Sequence, residues 1–145
     1  MKIIYALVWV ALAGVFTGMS VYTPSTLAQN KFICDFVSHD LLEMMSVMMT
    51  ITIASIATIH IWFNELEDKH KKKVFGASRN EINQAASLLI WLFVGELALL
   101  IVRSAVDQTP TRLSFFNGGA LLLFFAGIIT LVDILGVVRA LTPSD

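Results

Sequence analysis

Three ionisable side chains interrupt stretches that are otherwise apolar: His60, Glu96 and Asp133. A charge in hydrocarbon is costly, so such a group faces the inside of a bundle or a wet cavity, pairs, or carries a proton. A histidine beside a carboxylate can pass protons. His60 and Asp133 fall about 5 Å and about 8 Å inside their apolar runs at a helical rise of about 1.5 Å per residue, so they lie at similar depth. The structural alternative is a His60 bonded to a carbonyl beside Trp62, and an Asp133 that pairs with Arg139 or reaches water. Glu96 is about 9 Å inside its run. It shares a helix face with Leu89, Leu92, Leu99 and Leu100, and Arg103, seven residues on, is expected to snorkel outward. Glu96 must therefore be protonated, be paired on another helix, or sit in water. It is the leading candidate for a group that handles protons or cations, against the plainer reading of a neutral acid bonded to a neighbouring helix.

Other chemistry finds little support. Cys34 is the only cysteine, with His39 as its one neighbour of use, so neither a disulfide framework nor a nucleophilic constellation is expected. Met44, Met45, Met48 and Met49 cluster. Thioethers can bind copper, but no thiolate or histidine cluster accompanies them, and methionine is a good filler of irregular gaps. His39 and His60 are 21 residues apart, about 31 Å along one helix, too far to share a haem. There is no glycine-rich phosphate loop and no metal-ligand motif. The expectation is a protein without cofactor, without metal and without enzymatic activity. A net charge of −1 gives no specific nucleic-acid signal.

The elements that would position these groups follow from composition. Of 145 residues, 57% are hydrophobic and 14% charged, against roughly 45–50% and about 25% in soluble domains. This is the composition of an integral membrane protein. Four runs are long enough, or nearly so, to cross a core about 30 Å thick: 3–21, 41–63, 82–102 and 113–138. Backbone in lipid must satisfy itself, and the runs lack strand alternation, so they are read as helices. The expected fold is all-α: one domain over 1–145, a four-helix antiparallel transmembrane bundle with short loops at 22–40, 64–81 and 103–112. A rival reading of the start, in which Lys2, the apolar run and the small residues at 25–28 resemble a secretory signal peptide cleaved after Ala28, is set aside because the run is longer than the usual signal core.

Charge then sets orientation. Nine of the acidic and basic residues fall between Glu65 and Glu81, including Lys69, Lys71, Lys72, Lys73 and Arg79. With this loop and both termini inside, the cytoplasmic face carries seven of the ten Lys and Arg, which favours N-in and C-in. Glu65 and Glu67 precede Lys69 and Lys71 by four, so the second helix is expected to run beyond the bilayer. The basic loop would draw anionic lipid headgroups or a cytoplasmic partner.

Small residues suggest how helices meet. Gly14 and Gly18 form a Gly-x-x-x-Gly, which permits close approach to a helix of this chain or of a second copy. Ser46, Thr50, Ala54 and Thr58 recur every four residues as one stripe, expected to face other helices and to place the second span at the centre of the bundle. The functional expectation is a small multi-pass protein, placed in a bacterial inner membrane. It would act by self-association or as a non-enzymatic subunit or scaffold of a membrane complex. The alternative is an oligomeric ion or proton conduit, or a membrane-permeabilising pore, lined by Glu96 and the Ser/Thr stripe.

Overall fold

The computed structural model of the protein describes residues 2–71, 75–107 and 109–141; Lys72 and Lys73 lie outside the described residues, as do the side chains of Lys2, His39, His70 and Arg139. Every element among the described residues is helical. Helix α1 runs Lys2–Tyr22. After Thr23 comes α2 (Pro24–Ala28), with Pro24 at its first position, where a missing N–H leaves nothing unpaired. Helix α3 (Lys31–Asp35) starts at Asn30, whose side chain accepts from the Ile33 amide. Without a break the chain passes through a wide π turn (Phe36–Asp40), in which the Leu41 amide donates to the Phe36 carbonyl, five residues back. It continues as α4 (Leu41–His70). Helices α5 (Gly76–Ala105) and α6 (Pro110–Leu141) complete the order.

The sequence marks 22–40 as a polar connection, and here the structure differs. Only the short turns around Thr23 and Gln29–Asn30 are non-helical. Ile33, Phe36, Val37 and Leu41 recur at helical spacing and pack into the core, which prolongs α4 toward Lys31. The 64–81 loop shrinks in the same way. Helix α4 extends beyond Phe63, as its acid-before-base pairs predict, and ends where Lys71 takes a left-handed conformation (φ 51°) with its amide on the Glu67 carbonyl.

Arg79 holds this hairpin closed. Its guanidinium donates to Glu67 at 3.0 Å and to Asn64 Oδ1 at 2.8 Å, and lies 5.5 Å from the centre of the Phe63 ring. Phe63 stacks on Phe75 at 4.6 Å, and the Phe75 amide donates to Glu67 Oε1 at 3.1 Å. Arg79 counts toward topology but is a structural cation engaged by its own chain. Arg79→Ala removes one partner of the half-buried Glu67. It is expected to lower unfolding stability in micelles by about 1–3 kcal/mol, with Arg79→Lys in between because it lacks the planar fork. An unchanged unfolding midpoint in the alanine variant would remove this account of the hairpin.

Neighbouring contacts fix the helix directions. His60 meets Asn83 and Asn64 meets Arg79, so α4 and α5 are antiparallel. Leu123 approaches Gly95 and Leu99 approaches Gly119, so α5 and α6 are antiparallel. Ser20 meets Ser114 and Phe16 meets Phe125, so α1 and α6 are antiparallel. The start of α1, the end of α6 and the α4–α5 turn therefore share one end of the bundle. The α1–α4 connection and the α5–α6 turn share the other.

Helix α6 is central, touching α1, α2, α4, α5 and the wide turn. This departs from the expectation that the second span holds that place. The reason lies in its glycines. Gly118 lies against Leu27, Phe16 and Ser20, Gly119 against Leu99, and Gly127 against Met45, so α6 is the helix on which others can close. Among the described residues, three helices are long and apolar enough to cross a membrane: α4 over Leu41–Lys69, α5 over Gly76–Ala105 and α6 over Pro110–Gly136. Helix α1 contributes a shorter apolar stretch, Leu7–Tyr22, among the described side chains.

Candidate functional site

Glu96 is the feature of α5 that packing alone does not explain. The face of α5 that carries Leu92, Phe93, Leu99 and Leu100 packs against a core of Val37, Leu41, Met45, Ala120 and Phe124. Glu96 lies between these residues in sequence and at the level of that core. Its exposure is 0%, and neither carboxylate oxygen has a hydrogen-bond partner among the described residues. The wide turn Phe36–Asp40 faces the same level from the opposing helix, since Val37 and Leu41 belong to the core. Arg103 buries its stem, as a snorkelling residue does. It is half-buried, and its Nε is enclosed and unbonded among the described residues.

The His60 and Asp133 pair expected from depth is not formed. His60 Nε2 bonds Asn83 Oδ1 on α5 at 2.9 Å. Asp133 is exposed on α6, while its neighbour Ile134 turns inward to Ile56, Phe63 and Ile82. Equal depth places two residues at one level but leaves their angular positions open, and here the angles separate them.

The stripe of Ser46, Thr50, Ala54 and Thr58 is exposed throughout. Thr50 and Thr58 donate to the carbonyls four residues back, at 2.9 Å and 3.1 Å. Within the chain α4 instead turns Leu41, Met45, Thr52, Ile56 and Phe63 inward. Glu96 and the stripe therefore do not share a surface of one chain. Among the described residues nothing lies within 4 Å of where a Cβ on Gly14 or Gly18 would stand, so neither glycine makes a close contact with them. Met45 and Met48 close over Gly127, which gives part of the methionine cluster a packing role. Lys69 and Lys71 of the basic loop are exposed.

The residue that sequence reasoning overlooked is Asn117. It is fully buried on α6, and its Nδ2 donates to the Leu27 carbonyl at 2.7 Å, with Cys34 Sγ at 3.8 Å. The Cys34 thiol donates to the Ala28 carbonyl at 3.1 Å, and Ser114 donates to Ser20 Oγ at 3.1 Å. Asn117 thus ties the end of α2 to α6. A search for charges passes over a neutral amide, yet an amide inside an apolar run just ahead of Gly118 and Gly119 is itself a signal. Comparison of the chain with protein-family models, with curated proteins and with solved structures gives no significant match.

Proposed function

We propose that this is a multi-pass membrane protein without enzymatic activity that works by self-association or as a subunit of a membrane complex. The reading has four spans, with both termini and the α4–α5 turn in the cytoplasm of a bacterial cell. One observation carries it: the stripe Ser46, Thr50, Ala54 and Thr58 is left outside the chain's own packing. Small side chains let backbones approach closely, and in lipid that contact with a second helix is a main source of association. Gly14 and Gly18 offer a second open face of the same kind. Lys69 and Lys71 then stand at the cytoplasmic headgroups, at about 1 kcal/mol each toward anionic lipid.

Thr50→Leu and Ala54→Leu test the reading without disturbing the chain's core, since both positions are exposed. The expected result is a fall in oligomer size by native mass spectrometry in micelles, with helix content and unfolding midpoint retained; Gly18→Leu should act likewise on the α1 face. Oligomer size unchanged in all three would overturn the assembly reading. For orientation, a cysteine at Lys71 in a Cys34→Ser background is expected to resist an impermeant thiol reagent in intact cells. Labelling there from outside would reverse the topology. A conduit between copies is the second reading, favoured by the exposed hydroxyls of the same stripe; it adds ion flux through vesicles that Thr50→Leu abolishes.

A further inference from the structure

On one face of α5, both oxygens of Glu96 and the Nε of the half-buried Arg103 have no hydrogen-bond partner among the described residues. Seven residues separate them, nearly two turns and about 10 Å along the axis. Helical side chains lean toward the N-terminus of their helix, which carries Arg103 back along α5 in the direction of Glu96. Leu99 and Leu100, one turn from each, pack into the core closed by Val37, Leu41 and Phe124, so both groups border one interface. Other described charges do not enter it. Asp35 and Asp40 beside the wide turn and Glu43 on α4 are exposed, and α6 has no titratable side chain from Leu113 to Val132.

We propose that Glu96 is a proton-binding site and that Arg103 is its alternative partner. With the proton bound, the carboxyl is neutral and the guanidinium turns to the headgroups at the α5–α6 end. When the proton leaves to water at that end, the carboxylate it leaves behind is met by Arg103. No bond other than O–H is made or broken, and the two side chains exchange one arrangement for the other. A metal ion is the poorer occupant, because calcium or magnesium needs several oxygens together, and the residues around Glu96 in this core are Leu, Phe, Val, Met and Ala. The site belongs to a single chain and does not depend on the assembly reading.

The test is infrared spectroscopy of the full-length protein in lipid vesicles across a pH series, on the wild type and on Glu96→Gln, Arg103→Gln and Asp133→Asn. The expected result is a carboxylic-acid C=O band that titrates in the wild type and in Asp133→Asn and is missing from Glu96→Gln. In Arg103→Gln the band should persist to higher pH, its midpoint raised by about one pH unit or more, since an opposite charge nearby is worth about that much. Circular dichroism confirms that each variant remains folded. The absence of any acid band that Glu96→Gln removes would overturn the proton site. A midpoint unmoved in Arg103→Gln would overturn the pairing. A midpoint that follows sodium or calcium concentration would replace the proton with a cation.

Discussion

Asn117→Leu is expected to loosen the connection end of the bundle, at a cost of about 2–3 kcal/mol in unfolding stability. The side chains are of similar size, so the change is chemical. The variant loses the 2.7 Å bond to the Leu27 carbonyl and leaves that buried acceptor unmatched. Helix α2 has five residues, far too few to persist alone. Its position rests on Asn117 and on the insertion of Leu27 against Gly118. Cys34 reports the result directly, because its thiol bonds the Ala28 carbonyl at the end of the same helix and is half-buried. Opening of that corner should raise the rate of Cys34 modification by a small thiol reagent about tenfold or more, since local opening governs access to such a group. If thiol reactivity and unfolding midpoint are both unchanged in Asn117→Leu, the amide is not the fastener.

What the sequence makes legible here is set by which physical signal each feature leaves. Apolar length is a strong signal, and it locates α4, α5 and α6 from the runs 41–63, 82–102 and 113–138. Helix ends are a weaker one. The polar residues from Ser25 to Lys31 read as a loop, yet Ile33, Phe36 and Val37 follow at helical spacing and pull the segment into the core. Periodicity shows that Ser46, Thr50, Ala54 and Thr58 share a face but not what that face meets. Leu41, Met45, Thr52, Ile56 and Phe63 share another, and the bulkier face wins the chain's own interior because it fills more space there. Glu96 was legible because a charge in an apolar run stands out. Arg103 was less so, because sequence spacing does not tell which of its nitrogens the packing covers.

The opposite sign of effect is expected at Glu96. Glu96→Met should stabilise the fold, by about 1–3 kcal/mol, the usual cost of burying a polar group without a hydrogen bond. Methionine fits the space with a flexible apolar chain, and its neighbours Leu92, Phe93, Leu99 and Leu100 already line an apolar core. Glu96→Gln should gain little, since the amide would meet the same absence of partners among the described residues, and this contrast separates polarity from shape. Both variants can be read by denaturant unfolding in micelles, with the wild type as reference. A methionine variant less stable than the wild type would mean that the carboxyl is bonded in the membrane, and the description of Glu96 as an unpaired buried acid would fall. If the methionine variant is more stable, the fold gives up stability to keep an acid at this position. That follows if the acid exchanges its proton against Arg103, because a group fastened by hydrogen bonds to its surroundings would be slower to change partners than one held by apolar contacts alone.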